Sequence, residues 1–150
     1  MIRFTVIGQP EPAGSKRGFS VGGKVRIVDA NRKAAPWKQA VACAGWDAME
    51  GRQPITGPVE ASFTFYRVRS AGHYGTGRNA GKLKASAPTA PYTRPDVLKL
   101  TRGAEDALSG ICYRDDAQIV SERLDKRWGR PARVEIEISE WTVDSPGDED

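Results

Sequence analysis

Asp96 and the adjacent pair Asp115-Asp116 are the residues of this chain whose type and spacing could do chemistry. All three lie in the stretch from Arg94 to Val120, RPDVLKLTRGAEDALSGICYRDDAQIV, which follows a glycine-rich and strongly basic segment. Carboxylates beside a cationic surface are what a metal-dependent enzyme acting on a phosphate backbone needs. Mg²⁺ prefers oxygen ligands and keeps several waters, so one or two carboxylates and a substrate phosphate suffice to hold it. Such an ion activates a water and stabilises charge on phosphorus and on the leaving oxygen, while a nearby Lys or Arg offsets the rest. No phosphate-binding loop, HExxH sequence or serine nucleophile elbow is present, which disfavours those chemistries. Each acid also has a plainer use. Asp96 in a first helical turn favours the helix dipole and can cap free amides. Asp106, four residues after Arg102, suits an intrahelical ion pair, and Asp115-Asp116 suits a turn.

The elements that must position these residues can be read from periodicity. Counting about 100° per residue from Asp96, a helix opening at Pro95-Asp96 puts Val97, Leu100, Ala104, Ala107 and Leu108 on one core-facing stripe. Lys99, Arg102, Gly103 and Asp106 fall on a polar face that adjoins Asp96, and Ser109-Gly110 closes the helix. A second helix begins near Pro36, with Trp37, Val41, Ala44 and Ala48 as its apolar stripe and Gly45 suited to close packing. Alternation marks strands over residues 1–8, 58–69, 117–128 and 133–143, and Gly22-Gly23 centres a hairpin between Phe19 and Val28. The segment GQPEPAGSKRG should lack regular structure. So should residues 70–94, a basic loop expected to be flexible and to order on nucleic acid. His73, the only histidine, reads as a solvent-exposed loop residue, and Cys43 and Cys112 as two buried free thiols.

Charge suggests the partner. The formal net charge of +4 hides a body, residues 1–138, that carries +9, because the last twelve residues hold five acids and no base. Between Arg67 and Arg102 eight bases stand against the single acid Asp96. That clustering points to a polyanion, bound through phosphate contacts and counterion release. Lys16, Arg17, Arg67, Arg69, Arg78, Lys82, Lys84 and Arg94 are the expected DNA contacts. No apolar run approaches the ~20 residues that span a bilayer, and the opening residues do not resemble a signal peptide. A cytoplasmic location without membrane association is expected.

The run PDVLKLTRGAEDALSGICYRDDAQIV resembles the signature region of RusA-type Holliday junction resolvases, especially phage and prophage forms. Their pattern is Pro-Asp-x-Asp-Asn-Leu, then Lys, then Asp-Ala-Leu, then Asp-Asp-Ala-Gln-Val. The likeness extends more loosely to the opening strand with its Gly-x-Pro loop and to the late strands. It implies a homodimeric, Mg²⁺-dependent endonuclease, with Mn²⁺ as a substitute ion, that nicks four-way DNA junctions symmetrically. In host cytoplasm, a phage-encoded form would serve recombination, repair or phage DNA processing. Carried over, the first catalytic Asp falls on Asp96 and the closing Asp of the paired motif on Asp116. The catalytic Lys falls on Arg102, which keeps the charge without readily giving up a proton. Lys99 stands where the family has Asn and can take a phosphate contact. The second Asp of Asp-x-Asp falls on Leu98, which is no ligand. Asp115, Asp106, Glu105 and Glu122 are the acids available to replace it.

The expectation is therefore one α+β domain over residues 1–143, with a mixed, mostly antiparallel sheet, two main helices packed on it, and a homodimeric assembly. Residues 144–150 should form a disordered acidic tail. The expected site has Asp96, Asp116, Arg102 and Lys99 as catalytic residues and Asp96, Asp116 and Asp115 around the metal. A non-catalytic nucleic-acid-binding protein of the same fold and a general flap or branched-DNA nuclease are the alternatives.

Overall fold

The computed structural model describes residues 1–14, 16–29 and 31–143, with the side chains of residues 16, 17, 19 and 27–29 excepted. The acidic tail, residues 144–150, lies outside the described residues. Six strands and two helices follow in the order β1 (Ile2–Ile7), β2 (Lys16–Val21), β3 (Lys24–Asp29), α1 (Ala34–Met49), β4 (Val59–Arg67), α2 (Val97–Leu108), β5 (Ile119–Trp128) and β6 (Arg133–Glu140). The main sheet has the order β1-β6-β4-β5. Its β1–β6 and β4–β6 pairs are antiparallel, whereas β4 and β5 run parallel, joined through α2. This is the expected α+β arrangement of a mixed, mostly antiparallel sheet carrying two helices.

The alternating strands bury one face each. Ile2 and Val6 of β1, Val59, Ala61, Phe63 and Phe65 of β4, and Val134, Ile136 and Ile138 of β6 form the sheet side of the core. Both helices cover that face, while residues such as Tyr66 and Arg133, whose guanidinium lies 3.8 Å from the Tyr66 ring centre, occupy the other. Separately, β2 and β3 pair as a hairpin through Gly22 and Gly23, whose φ values of 58° and 77° are those of the turn that best matches strand twist. Because Lys16 already pairs with Asp29, regular structure begins inside the stretch expected to be irregular.

Helix α1 packs on α2 at Gly45, where an added Cβ would stand 2.5 Å from Leu108 Cδ2 and 3.5 Å from Cys112 Sγ. Gly45→Ala is expected to cost about 1–3 kcal/mol through overpacking, although alanine is the better helix former. Urea unfolding of the two proteins measures this directly. Helix α2 buries Leu100, Ala104 and Leu108 as expected, but also Gly103, which the helical count assigned to the polar face. The reason is tertiary: the chain at Glu11–Ala13 lies over Gly103, within 3.7 Å of where its Cβ would be. Of the two thiols Cys112 is buried and Cys43 exposed, so only one is the core residue expected.

Candidate active site

Asp96 occupies the residue before α2 in extended conformation, with ψ at 149°, but its carboxylate accepts no hydrogen bond from the helix amides. The amide cap expected of it is not made, and the acid is left to face a cavity. The backbone that delivers Asp96 is held from outside the helix. Lys126 of β5 donates to the carbonyls of Thr93 and Pro95, both at 2.9 Å. Arg67 of β4 donates to the Arg94 carbonyl at 3.0 Å. Burial draws the Lys126 ammonium below its ordinary range, helped by the charge of Arg67 and opposed by that of Asp96. Adjacent strands β4 and β5 thus clamp the three residues that lead into Asp96.

The DDAQ sequence divides its labour. Asp115 Oδ1 accepts from Ala117 N at 2.8 Å and caps a single 3₁₀ turn, Asp116–Gln118. Gln118 closes the turn from the other side. Its Oε1 accepts from the amides of Arg114 and Asp115, and its Nε2 donates to the carbonyls of Ile55 and Gly57, all four at 2.8 Å. One side chain therefore fixes the turn to the segment before β4. Gln118→Leu leaves these partners unanswered and is expected to lower stability by about 2–3 kcal/mol. Chemical denaturation should show it.

Asp116 and Asp96 line one open cavity of about 600 Å³ together with Glu105, Asp106, Glu122, Lys99 and Arg102. Leu98, 67% exposed, lies on its rim where a resolvase of this pattern has an acid. Glu105 and Glu122 share a hydrogen bond, and burial first, then that bond and the charges of Glu122, Asp116 and Asp106, push the Glu105 carboxyl up to about 8. Asp115, held by the Ala117 amide and by its bond to Asp116, titrates below its usual range. Asp116 titrates above its own, chiefly because of that same bond to Asp115. One bond thus moves the two carboxyls in opposite directions. Asp106 pairs with Lys38 of α1 at 3.4 Å, and not with Arg102 as helical spacing suggested.

Of the expected site residues the cavity unites Asp96, Asp116, Lys99 and Arg102, and leaves Asp115 outside its lining. Two of the four replacement acids weighed for Leu98, Glu105 and Glu122, meet there through side chains that touch. A signal for Glu105 was available: on a helix the seventh residue after Leu98 returns to almost the same face. For Glu122 no local pattern sufficed, since it arrives from β5.

The basic residues divide into two sets. Arg67 and Arg94 line a second cavity that shares Asp96 and Lys99 with the first. Arg69 instead binds the Pro88 carbonyl at 2.8 Å and stands 5.2 Å over Trp128, whose Nε1 donates to the same carbonyl at 3.0 Å. Arg78, Lys82 and Lys84 are exposed on the loop of residues 70–94, which contains two 3₁₀ turns, Ala71–His73 and Gly77–Asn79, and bridges such as Tyr74 to Leu83. His73 is half-buried against Trp128, with ring centres 5.2 Å apart, where a solvent-exposed residue was expected. The side chains of Lys16 and Arg17 lie outside the described residues.

Among the described residues no helix is long and apolar enough to cross a membrane. Comparison with known proteins matches residues 7–139 to the family described as endodeoxyribonuclease RusA. The uncharacterized protein YqaN of Bacillus subtilis (strain 168) is 35% identical over 144 residues, covering 93% of this chain and 96% of its own. The family match runs from Ile7, the end of β1, to Ser139 in β6 and takes in both halves of the acidic cavity, and the chain belongs to the RusA endodeoxyribonuclease family.

Proposed function

We propose that this protein is a Mg²⁺-dependent endodeoxyribonuclease that resolves four-way DNA junctions by paired symmetric nicks, acting as a homodimer in recombination, repair or phage DNA processing. The observation that carries the reading is one cavity in which Asp96, Asp116, Glu105 and Glu122 face Lys99 and Arg102. The donor set fits Mg²⁺: the donors are all oxygen, and burial beside Glu122, Asp116 and Asp106 pushes Glu105 up to about 8, a repulsion among acids that a divalent cation would relieve. Among the described residues no three such side chains form a ready-made metal cage. That suits an ion completed by waters and substrate phosphate, which needs only one or two protein carboxylates.

Asp96 and Asp116 would hold the ion. When bound, Mg²⁺ (or Mn²⁺) supplies a Lewis acid that acidifies water and offsets charge on the phosphate. Lys99 and Arg102, neither of which forms an ion pair among the described residues, bind the non-bridging oxygens of the scissile phosphate. Arg102 does so as a fixed cation, so protonation of the leaving oxygen falls to solvent. A dimer supplies two such sites about a two-fold axis, as two symmetric cuts require.

A synthetic four-way junction with Mg²⁺ is expected to be nicked at paired positions, while linear duplex is not. Leu98 favours one other reading, a DNA-binding protein of this fold that no longer cuts. Tight junction binding with no nicking in Mg²⁺ or Mn²⁺ would establish that reading, and equal cutting of duplex and junction would establish a general nuclease.

A further inference from the structure

The second cavity, also about 600 Å³, opens beside the acidic one and shares its Asp96 and Lys99. Its volume falls within the roughly 300–1,000 Å³ of small-molecule sites, enough for one nucleotide and too small for a duplex. Its walls are of two kinds. Pro12, Ala13 and Pro95 present apolar surface, while Arg67 and Arg94 bring positive charge to the lining. The acid in the same wall, Glu11, is approached at 3.4 Å by the Asn31 amide, which also donates to the Pro12 carbonyl at 2.9 Å.

Both walls are built before any ligand arrives. The Ala13 amide donates to the Lys99 carbonyl at 3.0 Å, which ties the Gly-x-Pro loop to the first turn of α2. Gly103 lets that loop lie directly on the helix. The opposite wall is held by Lys126 and Arg67 on the carbonyls of residues 93–95. A preformed slot with apolar sides, cations in its lining and the acidic cavity next door is the chemistry of an unstacked nucleotide: sides for the base and sugar, cations for the flanking phosphate.

We propose that this cavity seats one unpaired nucleotide of the cut strand, next to the phosphate bound at Lys99 and Arg102. The inference rests on the nuclease reading and adds how branched DNA is chosen. Drawing a nucleotide out of a continuous duplex costs a few kcal/mol of stacking and pairing, and much less where the helix is already interrupted. Nucleotides at the crossover of an open junction have one stacking neighbour in place of two, so the slot rewards junctions over linear DNA without reading an arm's sequence.

The test uses the full chain, bound to four-way junctions in which 2-aminopurine replaces one base at a time around the crossover, in EDTA. Fluorescence of the bound junction is expected to rise several-fold at a single position per strand, because unstacking relieves quenching. Pro12→Trp, which fills the slot, and Arg94→Ala, an exposed residue with no side-chain partner among the described residues, are both expected to lose that rise. Binding by anisotropy and nicking after Mg²⁺ addition are read on the same junctions. Saturated binding with no brightening at any position, or brightening undiminished in both variants, overturns the seat. Nicking without brightening overturns it alone; brightening without nicking supports a seat for an unpaired nucleotide but overturns the nuclease reading and, with it, the assignment to a cut strand. Failure to bind the junction overturns both.

Discussion

Asp116→Asn is expected to reduce Mg²⁺-dependent nicking of a four-way junction by about a hundredfold or more, or ~3 kcal/mol of barrier. Its side chain is exposed and fills no part of the core, so the fold has little to lose. Asparagine keeps the shape and can still donate to Asp115, whose cap on the Ala117 amide is unaffected. What disappears is the charge directed at the cavity. The variant should therefore unfold at the same urea concentration as the parent and bind Mn²⁺ more weakly by calorimetry. Undiminished cleavage would sink the assignment of Asp116 as a ligand. Asp115→Ala provides the contrast. It removes the cap on the Ala117 amide and is expected to cost about 1 kcal/mol of stability with a smaller loss of metal affinity.

Glu105→Gln should produce the second large effect, and its sign depends on pH and metal together. In the folded chain this carboxyl titrates near about 8, against 4.5 when unfolded, because it is half-buried among Glu122, Asp116 and Asp106. Below 4.5 both states hold the proton and folding loses nothing. As pH rises towards 8 the unfolded chain ionises first, so stability falls across that window and then levels off. Glutamine cannot ionise and escapes this penalty. At pH 8.5 in EDTA, Glu105→Gln is expected to be more stable by about 1–2 kcal/mol, after allowance for the water that still reaches the group. Thermal melts at pH 5 and pH 8.5 should show the parent and variant diverging only at the higher pH. With Mg²⁺ the order reverses, since the cation rewards an ionised Glu105 and stabilises the parent more. A variant no more stable than the parent at pH 8.5 would mean that the acids are not crowded as described.

Much of the frame was legible because it obeys local rules. The alternation of Val59, Ala61, Phe63 and Phe65 places β4 with one face inward, and the same period marks β1 and β6. Gly22-Gly23 foretells the hairpin through the backbone geometry that only glycine adopts freely. Burial of Leu100, Ala104 and Leu108 follows from helical period alone. Three of the misreadings share a cause, since each depends on what another segment brings. Gly103 is buried because the Gly-x-Pro loop crosses it, His73 because Trp128 lies against it, and Asp106 meets Lys38 because α1 packs beside α2.

The same division holds for the site. Sequence by itself determined which residue types were on hand: an acid opening α2, a pair of acids in a turn, a basic face, and a leucine where a resolvase of this pattern carries an acid. It also determined that Asp96, Lys99 and Arg102 share a helical face, since a spacing of three residues repeats nearly every turn. Only the tertiary structure decided which acids meet. The parallel pairing of β4 with β5 carries Glu122 across to Glu105 and sets Lys126 under the chain leading to Asp96. It also decided that Asp115 serves as a cap while Asp116 faces the cavity, because Gln118 anchors the turn to residues 55 and 57, far away in sequence. Convergence of that kind is set by sheet register and helix crossing, which are properties of the packed chain and of no single stretch of it.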